Sequence, residues 1–366
     1  MQNFAAENLR PKTTKEKKAL TAAEGVRDAF GHLLTMENNL DLQNILKFPI
    51  TEVPLSLAHA DGTPTKTEKA NLTRILEKKL DVNHSKPPIL HETLLVDGGL
   101  LLHEVLPHHN SSSYGTIVRN VMVKVCGGKE PNVHLLLDHY MQPSVKDCER
   151  QKRGDLNEVF KISSSEQQQR KKGVELLQNG LFKEEFAAFL MKEVRKEHFA
   201  AVIHNKIVYV SHGGKCVKLW VNSMGMLKVE EPEDYQANHE EADTLVIFHA
   251  TKTSGNVLVR SSDTDVLVLL VSLAEKKSDS YFMMDYGSGN TCRFIDASGI
   301  AKILESNHPG LCEALIRFHA LTGCDFTSAF YRKGNALPFS KLEKDPGAIA
   351  ALRSLCTDNV NKTAVF

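Results

Sequence analysis

Short apolar runs that end in an acidic residue alternate with segments of helical periodicity, and this alternation constrains the fold more than any other feature. The strand-sized runs are LLVDGG (94–99), VHLLLD (133–138), VLVRSSD (257–263) and YFMMDY (281–286). The helical patterns are 265–277, 298–306 and 309–323. Periodicity leaves one ambiguity, because the apolar run 265–271 fits either a strand or a helix. The alternation predicts an α/β fold, with a mostly parallel central sheet flanked by helices in a Rossmann-like three-layer arrangement.

The remaining segments differ in character from this α/β pattern. Residues 1–30 are polar and Lys-rich, typical of a flexible lead-in, and Leu72, Ile75, Leu76 and Leu80 predict a helix over 65–80. A hairpin is expected over 206–221, turning at Gly213–Gly214. Two prolines in KPPIL suggest a boundary near residue 90. The expected organisation is an N-terminal extension (1–90), an α/β domain (91–335) containing a charged helical insertion (141–200), and a helical C-terminal tail (336–366).

Composition restricts the environment and the class of partner. Lys+Arg 45 balances Asp+Glu 45, which disfavours tight, sequence-blind coating of nucleic acid without excluding a nucleic-acid substrate. The seven cysteines are scattered and form no C-x-x-C pair, so neither a disulfide framework nor a cysteine zinc site is indicated. No apolar run approaches the roughly 18 residues of a membrane helix, and the N-terminus lacks a signal-peptide core. We expect an intracellular protein without a membrane partner, and PKTTKEKK (11–18) favours a nuclear over a cytoplasmic location.

Carboxylates fall where the apolar runs stop, and seven of them carry the chemical signal. They are Asp97, Asp138, Glu241, Asp243, Asp263, Asp265 and Asp325. Ligands of open α/β sheets bind outside the carboxyl ends of the strands, and converging carboxylates repel one another unless cations neutralise them. Oxygen ligands of this kind select Mg²⁺ or Mn²⁺, and two such ions about 3.5–4 Å apart support phosphodiester hydrolysis. Each acid taken singly is also explained as a helix cap or turn residue.

The order of these acids resembles the flap-endonuclease/XPG-type branch of the PIN-like nuclease superfamily, over roughly residues 92–335. The family order is strand-Asp, strand-Asp, a helical arch, Glu-x-acid, Asp-x-Asp and Gly-x-Asp. This chain presents LLVDGG, HLLLDHY, the 141–200 segment, EEADT, SSDTD and LTGCDFTSAF in that order. The combination of ANHEEADT, SSDTDVLVLL and HALTGCDFTSAFYRKG is also similar to a group of transposon-associated animal proteins. The chain departs from the family in having about ninety residues before the first Asp.

The resemblance implies a PIN-like fold with a helical arch and a role for each acid. One Mg²⁺ or Mn²⁺ ion would be held by Asp97, Asp138, Glu241 and Asp243, and a second by Asp263, Asp265 and Asp325. Basic residues would bind the substrate phosphates, namely Lys146, Arg150, Arg153 and Lys333, with Lys152 in reserve. A solvated basic helix explains the residues of the 146–153 stretch equally well. The implied partner is nucleic acid, DNA rather than RNA.

The leading hypothesis is therefore a divalent-metal-dependent nuclease that hydrolyses phosphodiester bonds of DNA or RNA by a two-metal-ion mechanism. The alternative is a catalytically inactive nucleic-acid-binding or scaffold protein that retains the nuclease fold. A third, more remote possibility is an α/β hydrolase or phosphatase with one Asp as nucleophile. The histidines His103, His108, His109, His134, His139 and His319 show no zinc-binding spacing, and we expect them in the core or on the surface.

Overall fold

The computed structural model describes residues 14–35, 41, 44, 47, 53–59, 62–80, 90–109, 111–140, 159–287 and 289–355. The chain divides into two compact units. We call Leu72–Ile316 the sheet unit, and Met1–Asn71 together with Arg317–Phe366 the terminal unit. None of the helices in the described part of the chain combines the length and the apolar character that crossing a membrane would require.

Eight strands form one mixed sheet in the sheet unit. They are β1 (Thr93–Asp97), β2 (Asn132–Leu136), β3 (Ile207–His212), β4 (Lys215–Val221), β5 (Leu227–Glu230), β6 (Gly255–Arg260), β7 (Ser280–Tyr286) and β8 (Arg293–Asp296). Their order across the sheet is β5-β4-β3-β2-β1-β6-β7-β8. The inner five strands pair in parallel, and β4, β5 and β8 pair antiparallel with their neighbours. The predicted α/β fold with a mostly parallel sheet is confirmed.

Thirteen α-helices lie in the described residues. They are α1 (Thr14–Thr35), α2 (Ala70–Glu77), α3 (Gly98–Val105), α4 (Tyr114–Cys126), α5 (Gly173–Leu176), α6 (Gly180–Glu193), α7 (Ala200–Ile203), α8 (Ala242–Lys252), α9 (Thr264–Lys276), α10 (Ala297–Asn307), α11 (Leu311–Thr322), α12 (Ala336–Leu342) and α13 (Pro346–Ser354). Short 3₁₀ turns lie at Leu106–His108, Glu197–Phe199, Glu233–Tyr235 and Gly289–Thr291.

Both faces of the central strands are covered by helices, as the side-chain alternation of β2 demonstrates. Successive residues of a strand point to opposite faces. Val133 and Leu135 are fully buried in an apolar cluster with residues of α4, α6 and α7. His134 lies between them in sequence and points the other way, where its Nδ1 is 2.8 Å from Nδ1 of His249 in α8. Burial on both faces explains why these strands are continuous apolar runs.

Several local predictions can be compared directly with the structure. The ambiguous run 265–271 is helical, as part of α9. The hairpin is confirmed as β3 and β4, and Gly213 and Gly214 take φ values of +57° and +78° at its turn, which glycine adopts without steric cost. Helix α1 occupies most of the segment expected as a flexible lead-in. The edge strands β5 and β8 were not predicted.

The segment 141–200, predicted as a helical arch or insertion, has a mixed outcome. Residues 141–158 lie outside the described residues, so the arch stays a prediction there. Residues 159–172 contain no helix or strand, contrary to the predicted helical character of the whole segment. The part of the segment that forms α6 is helical, as expected. Its residues Phe182, Phe186 and Leu190, however, are fully buried in the main apolar cluster. This helix is therefore part of the core of the sheet unit.

In the terminal unit, residues distant in sequence are joined by backbone hydrogen bonds. The amide of Ala329 donates to Thr65 O and that of Tyr331 donates to Ser56 O, each at 2.8 Å. Helices α12 and α13 follow, each with buried apolar residues. These two helices agree with the expected helical tail, whereas the predicted domain boundaries at residues 90 and 335 stay predictions.

Replacement of a core leucine in β2 should destabilise the sheet unit strongly. We expect Leu135→Ala to lower the free energy of unfolding by about 2–5 kcal/mol, because a fully buried side chain is removed and leaves a cavity. The same substitution at Leu90, which is 78% exposed, should change it by less than about 0.5 kcal/mol. Denaturant titration followed by the fluorescence of Trp220, the only tryptophan, reports on this unit. Equal losses in the two variants would contradict the assignment of β2 to the core.

Candidate metal centre

The strand order creates a crevice between β1 and β6. From β1 the chain proceeds outward through β2 and β3, and it then returns to the other side of β1 as β6 and β7. Such a topological switch point opens a crevice at the carboxyl ends of the two strands, where open α/β sheets bind their ligands. Asp97 is the last residue of β1, and Ser261 follows the last residue of β6. The first polar groups beyond both strands therefore meet at this crevice.

Asp97 joins the end of β1 to the end of β6. Its Oδ1 accepts hydrogen bonds from the amides of Gly99 at 2.8 Å and Leu100 at 3.3 Å, so it caps the N-terminus of α3. Its Oδ2 accepts a hydrogen bond from Ser261 Oγ at 3.1 Å. Both oxygens are thus held in place, one by amides in the first turn of α3 and the other by the hydroxyl group directly beyond β6.

The glycine pair after Asp97 allows close approach of the neighbouring strand end. A Cβ on Gly98 would lie 2.7 Å from Leu136 O, a separation that real Cβ atoms essentially never show. A Cβ on Gly99 would lie 3.2 Å from Asp97 Oδ1 and 3.5 Å from Asp138 Oδ2. The carboxylates of Asp97 and Asp138 therefore flank the same glycine. The LLVDGG motif is explained by this packing.

Asp138 links the end of β2 to the start of α8. Its Oδ1 accepts a hydrogen bond from the amide of Ala242 at 2.7 Å, and its Oδ2 accepts one from Tyr140 Oη at 3.3 Å. Ala242 is the first residue of α8, with Glu241 at the N-cap position before it and Asp243 in the first turn after it. The hydrogen bond therefore brings the EEADT acids next to the second strand-end aspartate.

A compact trio of carboxylates lies at the starts of α8 and α9. Asp263 caps α9 by accepting a hydrogen bond from the amide of Asp265 at 2.9 Å, and its own amide donates to Ser261 Oγ at 3.3 Å. Carboxylate oxygens of Asp243, Asp263 and Asp265 all lie within 4.8 Å of one another. The geometry groups Asp243 with Asp263 and Asp265, whereas the resemblance assigns it to the other ion.

Burial and a neighbouring carboxylate make the negative charge of Asp97 unfavourable. Burial and, next, repulsion from Asp138 raise the pKa of Asp97 from an ordinary 3.8 to about 6, against the opposing effect of its hydrogen bonds. Hydrogen bonds alone therefore do not neutralise the charge at the ends of β1 and β2. A set of carboxylate oxygens with this unmet charge matches the ligand preference of Mg²⁺ or Mn²⁺.

The structure brings six of the seven predicted acids to one end of the sheet, and the seventh belongs to the other compact unit. The six are Asp97, Asp138, Glu241, Asp243, Asp263 and Asp265.

Asp325 belongs to the terminal unit, where its carboxylate pairs with Lys69 Nζ at 3.0 Å and its carbonyl accepts from Lys66 Nζ at 3.0 Å. Lys333 is exposed in the same unit. The other predicted phosphate contacts, Lys146, Arg150 and Arg153 with their reserve Lys152, lie outside the described residues.

Sequence reasoning missed several polar groups beside the acids. Ser261 donates a hydrogen bond to Asp97 and accepts one from the amide of Asp263. Its position directly after a strand could have identified it as a site residue. His212 ends β3, and its Nε2 lies 3.0 Å from Glu184 Oε1 in α6. Burial raises the pKa of Glu184, but hydrogen bonds from His212 and the Tyr140 amide, with the charges of nearby imidazoles, outweigh it and hold the pKa below its usual range.

Comparison of the chain with protein-family models, with curated proteins and with solved structures found no match.

The pKa of Asp97 predicts a specific pH dependence of stability in the metal-free protein. Between about pH 4 and pH 6 the folded state keeps the proton on Asp97 while the unfolded state has lost it, so stability falls as the pH rises through this window. We expect Asp97→Asn to remove this loss, making the variant about 1–3 kcal/mol more stable than wild type above pH 6 in chelator. The difference should shrink towards pH 4.

Denaturant titrations at a series of pH values measure this difference. Asp234→Asn provides a matched control, because Asp234 is an exposed acid in the same unit. A constant offset between Asp97→Asn and wild type across the whole pH range would contradict the prediction.

Proposed function

We propose that the protein is a divalent-metal-dependent nuclease of the PIN-like type, which hydrolyses phosphodiester bonds in nucleic acid. The observation that carries the proposal is the assembly of six carboxylates at the topological switch point of an α/β sheet. They come from the ends of two adjacent strands and the starts of two helices. Caps and turns would account for each acid alone, but they do not require three carboxylates within 4.8 Å of one another.

The donor set fits hard divalent cations. The six acids offer only carboxylate oxygens, and the pKa of Asp97 is raised by burial and, next, by the charge of Asp138, both of which a bound cation would offset. The trio of Asp243, Asp263 and Asp265 offers one cluster of ligand atoms, and Asp97 with Asp138 offers an adjoining pair. When bound, Mg²⁺ or Mn²⁺ would supply Lewis-acid stabilisation of the charge that develops on phosphate oxygens and an activated water.

The residues of the chain itself pre-organise this site. Ser261 donates to Asp97 Oδ2, while the amide of Ala242 and the hydroxyl of Tyr140 donate to the two oxygens of Asp138. These donors fix the carboxylate rotamers before any ligand arrives, so binding requires little reordering. The N-termini of α8 and α9 also direct positive helix-dipole ends towards this region, which favours an anionic substrate such as a phosphodiester.

The substrate class and the number of bound ions are parts of the proposal for which the geometry of the six acids is not the support. Two-ion chemistry, the contribution of Asp325, and a preference for DNA over RNA rest on the resemblance of the sequence motifs. The same holds for phosphate binding by Lys146, Arg150, Arg153 and Lys333. Cleavage assays with DNA and RNA substrates test the preference for DNA, and the Asp325→Asn variant tests the contribution of Asp325.

Replacement of a central acid should abolish hydrolysis without unfolding the protein. We expect Asp263→Asn to lower the cleavage rate by about 100-fold or more, because it removes a charged ligand from the trio while the amide oxygen can still cap α9. Cleavage of end-labelled single-stranded, duplex and branched DNA and of RNA is measured with Mg²⁺, with Mn²⁺ and with excess chelator. Asp234→Asn, an exposed acid in the same unit, should retain the wild-type rate.

Two outcomes would reject the proposal. Hydrolysis that persists in chelator or in Asp263→Asn would rule out this site as its origin. Binding of nucleic acid by wild type without any cleavage, and without thermal stabilisation by Mn²⁺, would favour the inactive binding or scaffold protein instead. Asp325→Asn is assayed in parallel, and a wild-type rate in that variant would remove Asp325 from the proposed ligands while leaving the other six.

A further inference from the structure

Three residues from separate elements form a second cluster of potential metal ligands, which we call the His–Glu–His cluster. It consists of His139, which follows β2, Glu184 in α6, and His212 at the end of β3. Oε1 of Glu184 lies 3.0 Å from Nδ1 of His139 and 3.0 Å from Nε2 of His212. The cluster is chemically different from the neighbouring acids, because two of its three ligand atoms are imidazole nitrogens.

The spacing of these atoms suits a single ion. All three potential ligand atoms lie within 4.8 Å of one another. Ligands that bind Zn²⁺ at about 2.0–2.2 Å in tetrahedral geometry are about 3.3–3.5 Å apart. The two nitrogen-to-oxygen separations of 3.0 Å therefore need to widen by only a few tenths of an ångström. Rotation of partly exposed side chains accommodates a change of this size.

Hydrogen bonds outside the cluster orient two of its ligands. Nδ1 of His212 lies 2.9 Å from Asp138 O, and because a carbonyl only accepts, this nitrogen must carry a hydrogen. When this ring is neutral, Nε2 carries the lone pair that faces Glu184, and a metal ion can bind there. The Tyr140 amide donates to Glu184 Oε2 at 2.7 Å, which leaves Oε1 facing the two imidazoles. Backbone partners of this kind orient the ligands of metal sites in proteins.

The close approach of two potential acceptor atoms in the cluster requires a hydrogen or a metal ion between them. His212 Nε2 and Glu184 Oε1 are 3.0 Å apart, so in the absence of a metal ion one of the two atoms must carry a hydrogen that the other accepts. His212 is 7% exposed, whereas His139 and Glu184 are 26% and 27% exposed. The cluster is thus anchored on its buried side and accessible on the other, where water can complete the coordination of an ion.

We propose that the His–Glu–His cluster is a second metal site that binds Zn²⁺ or a similar transition-metal ion. Two imidazoles and one carboxylate are ligands that Zn²⁺ accepts readily, whereas Mg²⁺ prefers oxygen ligands alone. The ion would connect α6 to the ends of β2 and β3 and so fix the backbone of Asp138. The proposal does not rest on the proposed nuclease activity, because none of its three ligands belongs to the acidic set.

Metal titration of the full-length, untagged protein tests the proposal. After chelator treatment and desalting, wild type should bind one equivalent of Zn²⁺ and give the absorption bands of a low-symmetry site with Co²⁺. Glu184→Gln and His139→Gln should each weaken Zn²⁺ binding by more than about tenfold, because each removes a ligand. His198→Gln is the matched control, because His198 is an exposed histidine of the same unit.

The acidic site is distinguished by a double variant, Asp263→Asn with Asp265→Asn. This variant should keep the tight Zn²⁺ equivalent and its stabilisation of thermal unfolding, which Glu184→Gln should lose. X-ray absorption at the zinc edge of wild type provides a measurement that does not depend on any variant folding, and two imidazole ligands are expected. Absence of imidazole ligands, or Zn²⁺ binding that is lost in the acidic double variant but kept in Glu184→Gln, would overturn the proposal.

Discussion

Electrostatic repulsion among carboxylates at the end of β1 and its neighbours is the constraint on which the rest of the site depends. The structure meets it with backbone amides: Asp97 accepts from the start of α3, Asp138 from the start of α8, and Asp263 from the start of α9. Each of these acids also lies at a position from which its carboxylate could bind a metal ion. Helix capping and ion binding therefore do not compete as explanations, because a carboxylate oxygen has two lone pairs, and one that accepts a single hydrogen bond keeps a lone pair for another partner.

The sequence allowed prediction of the central part of the fold, because its strands are buried on both faces and so carry long apolar runs. The ends of those runs marked the acids at positions 97, 138 and 263 for the same reason, since the carboxyl ends of parallel strands share one side of a sheet. The convergence of EEADT on the same crevice followed from motif order, and the structure gives the physical link through the amide of Ala242.

Other features depend on tertiary pairing that local patterns do not encode. Glu184 meets His212 only because α6 packs beside β3, and His139 joins them only because β2 and β3 pair in one particular register. No spacing along the chain reveals such a cluster. The terminal unit similarly depends on hydrogen bonds between residues more than 250 positions apart, as between Thr65 and Ala329. The assignment of Asp325 to that unit was not foreseeable from its position after a helix.

The two outer strands have a consequence for the behaviour of the chain in concentrated solution. The outer edges of β5 and β8 are where a second molecule could add a strand. Both strands are only four residues long; β5 carries the exposed charges of Lys228 and Glu230, and Arg293 of β8 is engaged by Glu77. Short, charged edges give an incoming strand few backbone partners and an unfavourable surface. The residues that end the sheet on each side thus also limit its extension by a strand from a second molecule.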